Sequence, residues 1–469
     1  MTLIPYTQEQ LDFLVKARRD IQDDPEKRLS PVTRSLIEKG NFVFDAHCHV
    51  FDGDCVNVRY IVARMIGGIR PGMLALMLRL IFGVKNKIIH LFDKEEIIEA
   101  IYSDKDLFEK DENVSQFLAR VEKNIAEEEN EVEAGEIVRT AKKEHLHWLR
   151  GVIRILKKDY MEDVYTTFRD EYSINNVVDG GKDLVTVVLG MDLNKGWEEK
   201  NKGKWGSIRK SNLVQVKELS DLANKYPVLP FLPLDPRRAS ESGADNLYTM
   251  FYEAFKPGGS NYFGVKIYPA LGYLPSDSRL RPIFDICAEK KIPIVTHCGG
   301  ESVSTFAHPI VIDRDGVEEK VKFLSRSKRA AFLNEPEEWR KVLERYTKPG
   351  EELYVNFGHF GSAKAWAKPL HPKAKRIDSI LSMMMHHKAF ADFSFNISDP
   401  DATDNFAKRL NAGDKNAKLI AERCMFGTDF WVVLPRTNLY EAQKDFIEKI
   451  GDKDKAFLVK NVMDFLRLK

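Results

Sequence analysis

Long hydrophobic runs are missing from this 469-residue chain. Its most apolar stretch, 71–84, is broken by Arg79 and is too short to cross a bilayer, so it reads as a buried or subunit-contacting helix and no membrane partner is expected. An excess of one charge is missing as well. Seventy-two basic residues stand against 71 acidic ones, a net charge of +1, and nothing in that balance draws the chain to nucleic acid or to an acidic membrane surface. Cysteine is scarce: the five at 48, 55, 287, 298 and 424 are odd in number and scattered, which argues for a reduced compartment over a disulfide framework. The first residues lack a basic region followed by an apolar core, so no secretory signal and a cytoplasmic location are expected. There is no low-complexity tract.

What the chain does have is a rhythm. The segments 184–189, 228–232, 263–268, 292–296, 353–357, 389–393 and 423–426 are short, β-rich apolar runs, and most are separated by helical stretches such as 211–226, 280–290, 335–346 and 405–422. With the run at 42–47 they make eight. Eight strands alternating with helices predict an α/β fold, a distorted (β/α)8 barrel of parallel strands. The rhythm is interrupted once, between the first strand and the second. The expected organisation is a helical arm over 1–40, a barrel from 41–50 and 181–469, and a largely helical insertion over 51–180. A segment leaving the C-terminal end of a barrel strand lies over the mouth, so the insertion reads as a lid or cap, with an oligomer contact as its rival. A homodimer is in keeping with such helical appendages. The charged run 122–136 reads as a solvated helix face.

The polar residues at the strand ends carry the chemistry. His47 and His49 close the first run; in a strand, residues two apart share a face, so both rings can meet one metal ion, and Asp45 is expected beside them. A second His-x-His, His145 and His147, lies in a helical pattern where the two rings diverge, and it is set aside. Lys266 sits on the fourth strand, His297 ends the fifth, His359 ends the sixth and Asp429 follows the eighth. Each alone has an ordinary explanation: a structural histidine, or for Asp429 a helix N-cap. Together, neutral imidazoles with a carboxylate at successive strand ends suit a divalent transition ion, zinc first, with manganese or iron as alternatives. Arg237 and Arg238, just past the third strand, read equally as a bidentate clamp for a substrate carboxylate or as surface charges. Tyr268 and Trp431 follow ligand-bearing strands and read as pocket lining or rim packing. Cys48 and Cys298, beside candidate ligands, read as core residues. Arg59 and Arg64 in the insertion are further candidate anion contacts.

This order of His-x-His, Lys, His, His and Asp resembles the amidohydrolase superfamily. The stretches Gly-Val-Lys-Ile-Tyr-Pro at 264–269, Pro-Ile-Val-Thr-His-Cys-Gly at 293–299, Asn-Phe-Gly-His-Phe-Gly at 356–361 and Phe-Gly-Thr-Asp at 426–429 are similar to its branch of aminocarboxymuconate-semialdehyde decarboxylase and related metal-dependent hydrolases. The likeness covers 41–50 and 180–435, and leaves out the arm and the insertion. It implies a TIM barrel in which His47, His49, His297 and Asp429 hold a metal ion that activates water. Asp429 would shuttle the water's proton, and His359 would face the substrate as acid, base or electrophile. Lys266 would be a positive group near the substrate of a one-ion site, the favoured count. As in dihydroorotase, it could instead be carboxylated and bridge two ions, with His359 on the second. The expected reaction is hydrolysis of a C–N or C–O bond in a small carboxylate-bearing or cyclic substrate, with non-oxidative decarboxylation as the alternative. A non-catalytic metal-binding or interaction protein is the reading from another class, and the acid-base pair Asp429 and His359 speaks against it.

Overall fold

Gly40 ends the helix Pro31–Lys39 at a φ of +75°, a left-handed turn that glycine takes without steric cost, and feeds the chain into β1 (Phe42–Cys48). The computed structural model describes residues 5–57, 61, 116, 119–124, 151–178, 181–198, 208–299, 303–323, 325–434 and 436–469. After β1 come β2 (Asp183–Leu189), β3 (Val228–Leu234), β4 (Gly264–Ile267) and β5 (Ile294–His297). There follow β6 (Ile310–Arg314), β7 (Val317–Val321), β8 (Val355–Gly358), β9 (Ala389–Asp392) and β10 (Cys424–Met425). Eight of these pair in the order β1-β2-β3-β4-β5-β8-β9-β10, all in parallel. The ends meet: the Ala46 N–H donates to Phe426 O at 2.9 Å and the Asp429 N–H to His47 O at 2.8 Å. The expected distorted (β/α)8 barrel is therefore the fold.

Strand alternation divides the core into two shells. Phe44, Ala46, Val185, Val187, Leu229, Phe231, Val295, Phe390 and Met425 fill the barrel, and Phe465 and Leu466 of the helix Asn461–Leu466 join them. Their neighbours Val43, Leu184, Val188, Leu232, Val265, Ile294, Val355 and Ala389 pack outward against the helices. β1 does not keep this alternation to its end. Its register with β2 shifts between Asp45 and Cys48, so that Ala46 belongs to the inner shell while Cys48 belongs to the outer one. That bulge rotates His47 and His49 into the mouth. It also corrects one expectation: Asp45 does not share their face. It turns to β10 instead, accepting bonds from the Thr428 N–H at 3.0 Å and the Thr428 hydroxyl at 2.5 Å.

Two further departures have local causes. The stretch 405–422, expected as one helix, is two, Pro400–Leu410 and Lys415–Arg423. Gly413 at a φ of +73° breaks it, and the Asp414 side chain caps the second helix through the Ala417 N–H. Between β5 and β8 the chain adds an antiparallel hairpin, β6 and β7, unforeseen in the sequence. Its turn is Asp315-Gly316, both at positive φ, the dipeptide best suited to a two-residue hairpin loop. The arm helix Gln8–Asp20, closed by a Thr7–Gln10 capping box, buries Phe13 against Tyr248 and Phe251. The expectations for 71–84, for Arg59, Arg64, His145 and His147, and for most of 122–136 lie outside the described residues. All five cysteines are free and buried, Cys48 and Cys298 in the core as expected. No helix among the described residues is long and apolar enough to cross a membrane.

Candidate metal centre

The C-terminal ends of the strands bring His47, His49, Lys266, His297, His359 and Asp429 to the barrel mouth, all buried. One ligand atom each from His47, His49 and Asp429 lie within 4.8 Å of one another; the Asp429 Oδ1 is 3.9 Å from His47 Nε2 and 3.6 Å from His49 Nε2. Asp429 occupies the N-cap position of the short helix Phe430–Val433 but makes no side-chain cap bond there. Its φ of +51° turns the carboxylate toward the imidazoles instead. His297 joins through His359, with its Nδ1 3.1 Å from His359 Nε2. The Tyr268 ring stacks on His297 at 4.2 Å, and Lys266 Nζ lies 5.8 Å from the centre of the Tyr268 ring. Trp431 is buried beside Asp429 in sequence, and its indole N–H lacks a hydrogen-bond partner.

Small residues make the room. A Cβ on Gly358 would lie 2.9 Å from His47 Cε1, and one on Gly427 would lie 2.6 Å from His47 Cβ. The backbone beyond β8 is bent hard around the same ring. His359, Phe360, Gly361 and Ser362 all have positive φ, at about 1–3 kcal/mol for each of the three that are not glycine. Bonds from Asn396 Nδ2 to His359 O at 2.7 Å and from Trp366 Nε1 to Phe360 O at 3.0 Å hold the bend.

The electrostatics favour neutral rings and an isolated carboxyl. Burial lowers the pKa of His47 and pushes those of His49, His297 and His359 well below the usual imidazole range. Burial also raises Asp429 well above the ordinary carboxylate range, although Lys266 pulls the other way. Lys266 is itself lowered to about 8 by burial, with the charges of Asp392 and Asp429 opposing. Besides the Trp431 indole, His47 Nε2, His297 Nε2, Asp429 Oδ1 and Lys266 Nζ find no hydrogen-bond partner among the described residues. Buried polar atoms are rarely left so, and His47 Nε2, His49 Nε2 and Asp429 Oδ1 form a donor set that suits a divalent cation, with His297 outside that group of three.

The sequence reading passed over Asp392, at the end of β9. Its Oδ2 faces His47 Nδ1 at 2.9 Å and accepts from Asn356 Nδ2 at 2.7 Å. Its Oδ1 accepts from the His359 N–H at 3.0 Å, the Ser394 N–H at 3.2 Å and the Ser394 hydroxyl. Burial alone would raise this carboxyl, but the His47 ring and the donors from His359 and Ser394 hold it below the usual range. Asking which polar residue ends the seventh barrel strand would have found it. The two arginines, just past the C-terminal end of β3, are both paired within the protein. Arg237 is paired bidentately with Asp235 and bonds Leu271 O at 2.9 Å, while Arg238 is held by Asp192 and Asp245. The structure thus gives both guanidinium groups internal carboxylate partners. His359 has its Nδ1 on Ser394 and its Nε2 on His297, so both ring nitrogens are engaged by protein.

A parallel eight-stranded barrel with buried imidazoles and a carboxylate converging at the C-terminal strand ends belongs to the class of metal-dependent hydrolase barrels. Residues 237–468 match the amidohydrolase family model, which assigns that part of the chain to the amidohydrolase superfamily. No curated protein matches it. Among solved structures it is similar to a Pseudomonas putida protein provisionally described as a 2-pyrone-4,6-dicarboxylic acid hydrolase. Identity there is 13%, over 62% of this chain and 85% of that one, with a TM-score of 0.35. A Lactobacillus casei protein provisionally described as a metal-dependent hydrolase is 12% identical over 93% of this chain and 94% of that one, with a TM-score of 0.39. The 4-oxalomesaconate hydratase of Rhodopseudomonas palustris is 13% identical over 69% and 92%, with a TM-score of 0.36.

Proposed function

We propose that this chain is a hydrolase that cleaves a C–N or C–O bond in a small carboxylate-bearing or cyclic molecule. The observation that carries the reading is the set of buried atoms without hydrogen-bond partners, His47 Nε2, His297 Nε2, Asp429 Oδ1 and Lys266 Nζ, gathered at the barrel mouth. A divalent ion, zinc first, held by His47, His49, His297 and Asp429 would supply Lewis-acid activation of a water and of the scissile carbonyl. Asp429, with its carboxyl raised by burial, takes the proton of the attacking water and returns it to the leaving group. Lys266, lowered to about 8, is still mostly charged at neutral pH and meets a substrate carboxylate or a developing oxyanion. Tyr268 lines the same wall, stacked on His297.

One ion is favoured over two. The second group of candidate ligands, His47, His359 and Asp392, shares His47 with the first, and a proton between His47 Nδ1 and Asp392 already accounts for its closest contact. The test is metal content by plasma mass spectrometry on protein purified without chelator, followed by turnover of cyclic and acyclic carboxylate-bearing esters and amides in ¹⁸O-water. About one ion per chain with ¹⁸O in the product is the expected result. Carbon dioxide release with no ¹⁸O incorporation would replace hydrolysis by decarboxylation. Failure to take up zinc, manganese or iron would overturn the reading.

A further inference from the structure

A ring that offers a lone pair to a cation must carry its proton on the other nitrogen, and at this site that requirement can be traced atom by atom. His49 is the simple case: its Nδ1 lies 2.8 Å from Leu189 O, which can only accept, so Nδ1 holds the proton and Nε2 is left with the lone pair. For His47 the acceptor is a side chain, Asp392 Oδ2. The same carboxylate governs a second branch. Its Oδ1 accepts two backbone N–H bonds, so it is an acceptor for the Ser394 hydroxyl too, and the single hydroxyl proton is committed to it. The Ser394 oxygen must then accept from His359 Nδ1, 2.9 Å away, and the Ser394 carbonyl, 3.4 Å from the same nitrogen, can also only accept. His359 therefore bears its proton on Nδ1 and a lone pair on Nε2. That lone pair accepts from His297 Nδ1 at 3.1 Å, which leaves His297 with its lone pair on Nε2, the atom without a hydrogen-bond partner.

We propose that Asp392 is the positioning residue that sets the proton on both His47 and His297, on the first directly and on the second through Ser394 and His359. The inference rests on the metal-site reading, because a fixed tautomer matters only if something needs the lone pair. It gives His359 the role of a link between Ser394 and His297. Partners of this outer kind typically cost about 10–100-fold in metal affinity when removed.

The two branches separate by mutation. In Asp392→Asn the new amide keeps its oxygen toward the backbone N–H groups of His359 and Ser394, since an NH2 cannot face two donors. Its nitrogen then faces His47 and Asn356; the Asn356 amide turns its otherwise unpartnered oxygen to accept, and the His47 proton is forced to Nε2. In Ser394→Ala the His47 branch is intact, while in the His297 branch His359 Nδ1 keeps only the main-chain carbonyl of residue 394, at 3.4 Å; Ser394→Thr restores the hydroxyl. The readouts, on the full-length protein, are histidine tautomers of the metal-free form by ¹⁵N NMR and the zinc dissociation constant by chelator competition. Asp392→Asn is expected to change the His47 tautomer alone and to weaken zinc by about 10–100-fold. Ser394→Ala is expected to shift the His359 and His297 tautomer populations together and to leave His47 as in the parent, with Ser394→Thr like the parent. Unchanged tautomers, or equal behaviour of Ser394→Ala and Ser394→Thr, would overturn the proposal; the Ser394 pair carries the test if Asp392→Asn does not fold. A parent protein that takes no zinc sinks the hydrolase reading, while the tautomers of the metal-free protein still decide this one.

Discussion

Two adjoining parts of the barrel mouth hold the paired histidines in different ways. On the β1–β2 side, His49 is fixed by a main-chain carbonyl, Leu189 O, which the fold supplies as soon as the strands pair. On the β8–β10 side, His47 depends on Asp392, which in turn is held by Asn356, Ser394 and the amide of His359. The first arrangement comes with topology and the second with particular side chains. One ring is therefore robust to substitution around it, and the other is exposed to change at several positions.

The largest effect that tests this contrast comes from the rings themselves. His47→Ala and His49→Ala should each weaken zinc by more than the ~100-fold upper range for an outer partner, with the barrel still folded by circular dichroism. Full metal occupancy in either variant would remove that ring from the site and end the comparison. Next is the group between the two sides. The lowering of Lys266 from 10.5 to about 8 corresponds to roughly 3 kcal/mol of burial cost. The folded protein binds this proton less tightly than the unfolded chain. The cost is therefore present in full below pH 8 and is relieved as pH rises from about 8 to 10.5. Metal-free Lys266→Met should accordingly be more stable than the parent below pH 8, with an advantage that shrinks above it in urea titrations. An advantage independent of pH would point to packing instead.

A finer probe adds single methyl groups. Gly358→Ala places a Cβ 2.9 Å from His47 Cε1, whereas Gly196→Ala places one 2.5 Å from Leu271 Cδ2, with Leu271 alone supplying its nearest atoms. Both should cost about 1–3 kcal/mol of stability. Only Gly358→Ala should also weaken zinc binding, and equal zinc affinities in the two variants would erase the asymmetry. The smallest effect belongs to a control far from both sides: Gly413→Ala meets no neighbouring atom but sits at a φ of +73°. It should lose about 1 kcal/mol with unchanged zinc affinity.

The barrel was legible because buried parallel strands leave short apolar runs of β-branched residues, and because polar residues at their ends have little reason to be there except chemistry. His47, His49, His297, His359, Asp429 and Lys266 all follow that pattern and stand buried at the mouth. What escaped was carried by geometry that no spacing encodes. The bulge after Asp45 changes which face a residue occupies, so Asp45 was grouped with the wrong neighbours. Arg238 meets Asp192 across 46 positions of chain, a pairing invisible without the fold. The partner of Arg237, two residues upstream in Asp235-Pro-Arg237, was by contrast on the page. Asp392 was missed for a different reason: Asp-Phe-Ser after a short strand reads as ordinary turn chemistry.

The corner at 359–362 sets a limit on how this protein can be improved. Three residues there, His359, Phe360 and Ser362, adopt a conformation that side chains resist, and only Gly361 between them takes it freely. A screen for heat resistance would reward glycine at those positions first, since it relaxes the chain at once. His359→Gly would pass such a screen more readily than His359→Ala, yet would delete the ring that touches His297. Selection for durability and selection for turnover thus pull on His359 in opposite directions.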